Sequence, residues 1–472
     1  MRPYLRVANV YEDRIDLSDV MQMHFEPKEV DRFELVAGDI LLNEGQSREL
    51  VGRPAMYRGE LPGACFTNSL VRFKAAAHVD NRFALQLFRH WLKSGTFQSI
   101  AQITTNIAHL GAGRFAEMDF PLPPLAEQHR IVAKLESLQA RSRRAREALD
   151  AVPPLLEKLR QSILAAAFRG DLTKDWRAKN KDVEPATELL KRIRIERRKK
   201  WEESELAKMK AKGKAPMDDR WKAKYREPEP VDTEGLPELP QAWCWASLDT
   251  VLAEELSNGR SVPTDHAGFP VLRLTCLKHG LIDLKERKGG AWTAADAASS
   301  LVRKDDFLVS RGNGSLGLVG RGGLVMEEPD PVAFPDTLIR VRVAESVDRS
   351  YLAHVWSSRV VRSQIERAAK TTAGIFKVSQ GDLEMIVLPV PSVGEQQRIA
   401  VLIDAALAGV RSLELALKAL LTNSSSVDRA ALAKAFCGEL LCANAHVAWS
   451  HATRSGPPRT ARDAASSQRR PS

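Results

Sequence analysis

One structural unit occurs twice in this chain, and that repetition constrains the fold more than any other feature. Leu5-Arg6 recurs as Leu272-Arg273, a shift of 267 residues, and Glu127–Ile131 (Glu-Gln-His-Arg-Ile) recurs as Glu395–Ile399 (Glu-Gln-Gln-Arg-Ile) at 268. Further matches are Ile15-Asp16-Leu17 with Ile282-Asp283-Leu284, Thr104-Thr105 with Thr371-Thr372, and Phe168-x-Gly170 with Phe436-x-Gly438. A nearly constant period predicts two copies of one fold.

Composition favours a soluble protein with a polyanionic partner. The chain has 472 residues, 44% of them hydrophobic, and a formal net charge of +10. A net positive charge favours nucleic acid among possible partners. The five cysteines form no C-x-x-C pair, the charged start lacks the apolar core of a secretory signal, and no apolar run is long enough for a membrane span. We therefore expect a cytoplasmic location and no membrane association.

Each copy combines a strand-rich part with a helical part, so the predicted class is α+β. Short apolar runs separated by turn residues indicate strands at 4–10, 39–42 and 70–73, and at 271–274, 307–310 and 338–343. Prolines at 121–124 and 389–391 then introduce the helical part, as expected at a helix N-terminus.

The helical parts carry a heptad-like apolar pattern that predicts paired arms. In the first copy the pattern includes Ile131, Leu135 and Leu138. In the second copy it includes Ile399, Ile403, Val410, Leu413 and Leu417. Steps of four and three residues are typical of helices that pair along one seam. The alternative is a helix that packs only on its own module. A second helix is predicted in each copy, at about 155–168 and 427–436.

The copies are joined by a charged segment and are not equally long. The segment between them contains Lys191-Arg-Ile-Arg-Ile-Glu-Arg-Arg-Lys-Lys200, which suits either a helix along DNA phosphates or a solvated linker. Before Val271 the second copy has an extra stretch with Trp243 and Trp245, for which the first copy has no counterpart after Met1. The first module is therefore expected to be incomplete at its N-terminus.

Sequence signatures of catalysis are missing. Gly312-Asn-Gly-Ser-Leu-Gly317 fits G-x-G-x-x-G, but the residues that follow predict strand and turn where a dinucleotide fold needs a helix. The chain has neither a P-loop nor the Asn/Asp-Pro-Pro-aromatic signature of amino-methyltransferases, and its histidines do not cluster at metal-ligand spacing. We expect neither a catalytic residue nor a metal site.

The repeated architecture resembles the specificity subunit of type I restriction–modification systems. The residues that carry the resemblance are Phe120–Val132 and Leu388–Ala400, the two proline-rich entries into Glu-Gln-x-Arg-Ile. Supporting matches are Pro3–Asn9, Leu236–Pro240 before Trp243, and Phe168–Leu172. The resemblance covers about residues 1–440, and the missing N-terminal stretch of the first module is a departure from it.

The resemblance implies two target-recognition domains, each followed by a helical arm, with the arms paired as an antiparallel coiled coil. The implied boundaries are 1–120 and 235–388 for the domains, 121–173 and 389–441 for the arms, 174–234 for a basic linker, and 442–472 for a disordered tail. An arm helix of about 25 residues is about 37 Å long, close to one DNA turn of about 34–36 Å.

The same resemblance implies double-stranded DNA, methyltransferase (modification) subunits and restriction/translocase subunits as partners. S-adenosylmethionine, ATP and magnesium are then expected on those partners, with no cofactor in this chain. Two alternatives stay open: a specificity subunit of a methylation-only system, and a coiled-coil scaffold that binds protein.

Candidate base-reading residues are polar side chains expected on exposed loops, because base edges are read by hydrogen bonds from such groups. In the first copy they are Asn43, Gln46, Arg48, Thr104, Thr105 and Asn106. In the second copy they are Arg311, Asn313, Ser315, Thr371, Thr372 and Lys377. The competing interpretation for each is an ordinary turn former.

Overall fold

A computed structural model describes residues 1–440 except Thr105, Lys214, Ala215, Met217, Ala373 and Gly438. The predicted tail at 442–472 lies outside the described residues. The chain is α+β, as predicted, and divides into two compact units. Unit 1 is Met1–Val152 with the described residues from Ala416 onward, and unit 2 is Pro153–Leu415. Within the described part of the chain, no helix is both long and apolar enough to cross a membrane.

Unit 1 is built from short strands around one amphipathic helix. Its strands are β1 (Arg2–Leu5), β2 (Val10–Tyr11), β3 (Arg14–Ile15), β4 (Met21–Met23), β5 (Ile40–Asn43), β6 (Gly45–Gln46), β7 (Pro54–Met56), β8 (Cys65–Phe66), β9 (Leu70–Phe73), β10 (Gln102–Thr104) and β11 (Ile107–His109). Its helices are α1 (Pro27–Phe33), α2 (Asn81–Ser94), α3 (Thr96–Ile100), α4 (Ala112–Ala116) and α5 (Leu125–Asp150). The strand orders are β4-β1-β8, β7-β5-β9 and β10-β11-β6, with β2 paired to β3.

The core of unit 1 forms where α2 packs on the β7-β5-β9 sheet. Ile40 and Leu42 of β5 are fully buried against Leu87 and Phe88 of α2 and against Trp91. Asp80 caps α2 because its carboxylate accepts a hydrogen bond from the Phe83 N–H at 2.9 Å. Gly95 ends the helix in the left-handed conformation, at φ 80°. Local capping signals and tertiary burial therefore specify the same helix.

Unit 2 repeats this plan on a larger sheet. Its strands are β12 (Cys244–Ser247), β13 (Ser257–Asn258), β14 (Thr264–Leu272), β15 (Leu277–Lys278), β16 (Leu281–Ile282), β17 (Arg287–Gly290), β18 (Phe307–Ser310), β19 (Gly312–Asn313), β20 (Gly322–Leu324), β21 (Leu338–Val341), β22 (Lys370–Thr372), β23 (Ile375–Lys377) and β24 (Val387–Val390). Its helices are α6 (Val152–Phe168), α7 (Lys174–Lys179), α8 (Ala186–Ala211), α9 (Leu248–Val251), α10 (Ala294–Ala297), α11 (Arg349–Trp356), α12 (Arg359–Ala368) and α13 (Gln380–Glu384).

In the sheets of unit 2, equivalent strands are neighbours as they are in unit 1. The six-stranded sheet has the order β13-β21-β18-β20-β16-β15, and β18 lies between β21 and β20 as β5 lies between β9 and β7. The extra stretch before Val271 supplies β12, which pairs with β24 at the entry to the last helix, α14 (Val393–Phe436). The first part of α14 belongs to unit 2 and the last part to unit 1.

The segment between the copies contains a long helix. Helix α8 has 26 residues and buries Ala186, Leu189, Leu190 and Ile193 within unit 2. The guanidinium of Arg197 also donates a hydrogen bond to the Asp249 carboxylate at 2.7 Å. This part of the segment is therefore a helix with its own packing rather than only a solvated linker.

The prediction of two helices in the second arm was wrong. In the first copy the helix breaks at Ala151, and Pro153 and Pro154 lie in the first turn of α6. In the second copy α14 runs unbroken for 44 residues. The stretch from 393 to 436 contains no proline, so nothing removes a backbone donor or clashes with the preceding turn.

Burial along α14 corrects one residue of the predicted apolar seam. Ile403, Leu407, Val410 and Leu417 are buried, whereas Leu413 is 54% exposed. Four residues beyond Val410, Glu414 is also exposed, and its carboxylate accepts a hydrogen bond from the Arg160 guanidinium at 3.1 Å. The inward face of this part of α14 therefore consists of Ile403, Leu407, Val410 and Leu417.

Candidate nucleic-acid interface

Each unit carries a small three-stranded antiparallel sheet that gathers most of the predicted DNA-reading positions. In unit 1 its order is β6-β11-β10, and in unit 2 it is β19-β23-β22. Gly45 lies opposite His109 and Gln46 opposite Ala108. We call this element the recognition sheet of each unit.

The recognition sheet of unit 2 has the same register. Gly312 lies opposite Lys377, and Asn313 opposite Phe376. The flanking backbone bonds also correspond: the Leu110 N–H donates to the Glu44 carbonyl at 2.7 Å, and the Val378 N–H donates to the Arg311 carbonyl at 3.0 Å. The equivalent positions are therefore defined residue by residue.

This register corrects the repeat alignment at the hairpin. Thr104 pairs with Ile107 in unit 1, and Thr372 pairs with Ile375 in unit 2. Thr104 therefore corresponds to Thr372, at a shift of 268, and not to Thr371 as the sequence match suggested. The one-residue drift occurs earlier, in the loop between β6 and β7, because the β5–β7 pairing already shows it in comparison with β18–β20.

The predicted residues of unit 1 differ in accessibility. Asn43 is fully buried, with its amide donating to the Val10 carbonyl at 3.4 Å, so the interpretation of Asn43 as a base reader was wrong. Gln46 is half-buried on β6, whereas Arg48, Thr104 and Asn106 are exposed. Thr105 lies outside the described residues. Asn43 is the last residue of the fully buried strand β5, which extends one residue further than the sequence predicted.

Five of the predicted residues of unit 2 can be assigned an exposure. Arg311, Ser315, Thr371 and Lys377 are exposed. Asn313 is half-buried, and its side-chain oxygen accepts a hydrogen bond from the Ser315 N–H at 3.1 Å. The backbone of Thr372 lies on β22.

The two recognition sheets differ in charge at equivalent positions. In unit 1, His109 Nδ1 lies 3.1 Å from the Glu44 carboxylate. In unit 2, Arg311 and Lys377 occupy those two positions, and Lys370 lies directly opposite Lys377. Among the described residues, these three cations form no salt bridge.

Sequence reasoning missed Glu44, Gln102, His109 and Lys370. Glu44 was detectable because a shift of 267 places it at Arg311. The other three required the hairpin register, which short polar strands leave weakly specified.

Both hairpins also expose branched apolar side chains. Ile103 and Ile107 are 48% and 50% exposed in unit 1, and Ile375 is 43% exposed in unit 2. A two-stranded β-ribbon can enter the major groove of B-DNA, where polar side chains read base edges and apolar ones contact thymine methyl groups. The hairpins thus expose side chains of both kinds.

The arm residues meet the modules at one repeated junction. Gln128 is fully buried, and its side-chain oxygen accepts a hydrogen bond from the Asp80 N–H at 2.8 Å. Gln396 is equally buried and makes the same contact with the Asp348 N–H at 2.9 Å. Asp80 and Asp348 are the caps of α2 and α11. The junction therefore fixes each arm to the helix of its module.

Most of the predicted arm-pairing residues are buried. Ile131, Leu135, Ile399, Ile403, Val410 and Leu417 are buried, Leu138 is half-buried, and Leu413 is exposed. In unit 1, Ile131 and Leu135 pack with Leu432 and Ala435, while Arg146, further along α5, donates to the Asp428 carboxylate at 2.6 Å.

The chemistry of the half-buried Cys244 thiol and the buried Cys276 thiol does not suit nucleophilic catalysis. Burial raises the pKa of Cys244 to about 11 and that of Cys276 to about 12, which keeps both thiols neutral near pH 7. Throughout the described part of the chain, no group of three or more His, Cys, Asp or Glu side chains is arranged to hold a metal ion.

Comparison with known proteins agrees with the architecture. Residues 3–149 match the family model of the type I restriction modification DNA specificity domain. The chain is 24% identical over 447 residues to the EcoKI specificity subunit of Escherichia coli K12, covering 93% of this chain and 82% of that protein. It is 26% identical over 369 residues to the EcoBI specificity subunit of Escherichia coli, covering 76% and 67%.

Two solved structures share the fold. A chain from a study of assembly and conformational transition in the type I R-M system superposes with a TM-score of 0.63 at 17% identity, covering 93% of this chain and 92% of that one. The HsdS subunit from Thermoanaerobacter tengcongensis gives 0.53 at 18%, covering 93% and 91%. The family-model match over residues 3–149 and the named relatives support a type I restriction–modification specificity subunit, and the two solved structures share its fold.

Proposed function

We propose that each unit of this DNA-specificity subunit reads one part of a bipartite DNA site through its recognition sheet. The observation that carries the proposal is the match in register between the two sheets, which present different side chains at equivalent positions. Two copies of one reading element with different surface chemistry suit two different half-sites. The chain itself is a recognition subunit and not an enzyme.

In this proposal the arms pair as an antiparallel coiled coil that sets the spacing between the half-sites and gives the chain a pseudo-twofold repeat. The contacts inside each unit support this direction. In unit 2, Arg160 of α6 contacts Glu414, whereas Thr173, later in the chain, contacts Glu395, earlier in α14. In unit 1, α5 and α14 run in the same opposed sense.

Methyltransferase and restriction/translocase subunits are the proposed partners. S-adenosylmethionine, ATP and magnesium are then bound by those partners. The relatives named above are specificity subunits of restriction enzymes, which supports a role inside such a complex. The base-reading candidates that remain are the exposed Arg48, Thr104, Asn106, Arg311, Ser315, Thr371 and Lys377 and the half-buried Gln46 and Asn313. The backbone of Thr372 lies on β22, and Thr105 lies outside the described residues.

The binding of duplex DNA as a function of salt concentration tests this function. Cations that neutralise phosphates release counterions, so log affinity should fall linearly and steeply with log salt concentration. The full chain with labelled duplexes at several salt concentrations gives the slope. A flat dependence, or no binding, would contradict the proposal and favour the protein-binding scaffold.

A further inference from the structure

We infer that one row of side chains across the recognition sheet makes the two half-sites chemically different. In unit 1 the row is Gln102 and His109, with Glu44, which precedes the paired Gly45 and lies 3.1 Å from His109. In unit 2 it is Lys370 and Lys377, with Arg311, which precedes the paired Gly312. The row of unit 2 reads a guanine, and the row of unit 1 reads a base that presents an amino group, cytosine above all. This inference rests on the proposed function, because it assigns bases to the same sheet.

A glycine opens the space that each row occupies. A Cβ atom added to Gly312 would lie 3.2 Å from Cγ of Lys377. A Cβ atom added to Gly45 would lie 3.3 Å from the imidazole ring of His109. Neither glycine has a positive φ, so backbone conformation does not demand glycine there. Its effect is to let the cross-strand side chain lie over the neighbouring strand.

Within the described part of the chain, the cations of the unit 2 row form no salt bridge, and the acid that Lys370 influences, Asp382, acts without direct contact. Lys370 and Lys377 face each other across β22 and β23, and both are exposed. Like charges directly opposite on a sheet are destabilising. At the matching positions, unit 1 places a neutral Gln102 opposite His109, and His109 lies 3.1 Å from Glu44. Unit 2 therefore concentrates positive charge at positions where unit 1 has a neutral amide, an imidazole and a carboxylate.

The hydrogen-bonding character of each row selects a base. Lysine and arginine donate only, and a guanine presents two acceptors, N7 and O6, in the major groove. The Glu44 carboxylate accepts only, and the cytosine N4 amino group donates there. Exchanging acceptor and donor at one position therefore exchanges the preferred base. This reading concerns one base pair in each half-site and not the whole motif.

The experiment is selection of bound duplexes from a random-sequence pool by the full-length chain, followed by sequencing. The wild-type chain should enrich two short sequences, one of which contains a required guanine. The variant Arg311→Glu/Lys377→His should lose discrimination for that guanine about tenfold or more, as expected for loss of a bidentate contact, and should shift toward cytosine. The other half-site should stay unchanged.

Two further variants complete the design. Lys377→Gln alone removes one cationic donor from an exposed position. It should reduce discrimination for the same guanine, and it replaces the double variant if that variant folds poorly. Lys285→Gln makes the same charge change at another exposed lysine of unit 2 and should leave the motif intact.

The outcomes separate the two levels of the proposal. If the wild-type chain enriches no motif, the proposed function fails and the row assignment fails with it. If the wild-type motif appears but the row variants weaken all sequences equally, the row contacts phosphates and only this inference is overturned.

Discussion

The side-chain oxygen of Gln396 accepts a hydrogen bond from the backbone N–H of Asp348 at 2.9 Å. The same glutamine donates to the Pro391 carbonyl at 3.0 Å, so a fully buried amide joins the arm, its proline-rich entry and the cap of α11. Gln128 does the same in unit 1, with Asp80 and Pro123. The Glu-Gln-x-Arg-Ile block thus has a structural role that explains its repetition.

Replacing this glutamine should destabilise unit 2. Gln396→Ala leaves the Asp348 N–H and the Pro391 carbonyl without a partner, and an unsatisfied buried group costs about 1–3 kcal/mol. Urea unfolding measures the loss. The neighbouring exposed Gln397→Ala is the matched control and should change the unfolding free energy by less than about 0.5 kcal/mol. Equal losses of unfolding free energy in the two variants would mean that the hydrogen bonds of Gln396 do not stabilise unit 2.

The preceding glutamate should matter in one copy only. Glu395 is 2% exposed and accepts hydrogen bonds from Thr173 at 2.6 Å, Arg177 at 2.5 Å and the Trp243 indole at 2.8 Å. Its counterpart Glu127 pairs with the exposed Arg130. Because Glu395→Gln leaves a mostly buried cation unpaired, it should cost about 3 kcal/mol.

Glu127→Gln is the matched control for Glu395→Gln. It should lower the free energy of unfolding by less than about 1 kcal/mol, because surface ion pairs contribute little. Thermal unfolding of both variants provides the comparison. A larger loss of stability for Glu127→Gln than for Glu395→Gln would contradict the conclusion that only Glu395 pairs with a mostly buried cation.

The buried face of α14 can be tested with two substitutions to aspartate. Ile403 is fully buried, so Ile403→Asp places a carboxylate in an apolar contact and should cost several kcal/mol and impair arm packing. Leu413→Asp, at a 54% exposed position, should be nearly neutral. Limited proteolysis of the arms reports both. Equal loss of arm protection in both variants would support the heptad register expected from the sequence, which includes both residues, and would contradict the burial described here.

Acid should weaken unit 1 through His90. Burial lowers the pKa of His90 below its ordinary value near 6.5, and its ring stacks on Phe436 with centroids 5.4 Å apart. Below about pH 6.5 the unfolded chain binds a proton that the folded chain does not, so this contribution to stability is present above that pH and declines as pH falls.

The variant that isolates this effect is His90→Phe, which keeps an aromatic ring and removes the titration. The difference in Tm between wild type and His90→Phe should shift in favour of the variant as pH falls from 7.5 to 5.5. A difference that stays constant over this range would rule out His90 as a source of acid sensitivity.

Sequence patterns predicted the elements whose signals are local. Strands Leu70–Phe73 and Phe307–Ser310 were predicted with the bounds that the structure has. The start of each arm followed from proline punctuation, and Gly170 in the left-handed conformation follows the end of α6. These features depend on residues within one turn of the chain.

Features set by tertiary contacts were missed. Leu413 is exposed despite its place in the heptad pattern, and the neighbouring Glu414 contacts Arg160, about 250 positions away in the chain. The burial of Asn43 depends on Val10, and the hairpin alignment of Thr104 with Thr372 depends on cross-strand pairing. Residue type and spacing do not encode such partners, so the recognition row became apparent only from the register.

Sequencing the methylated bases of cells that express this chain with its modification subunit tests the central claim most directly. Two reading units predict a methylated motif in two defined parts separated by a spacer of unspecified sequence. A continuous or palindromic motif, or no methylation with an active modification subunit, would contradict the account that each unit reads its own half-site.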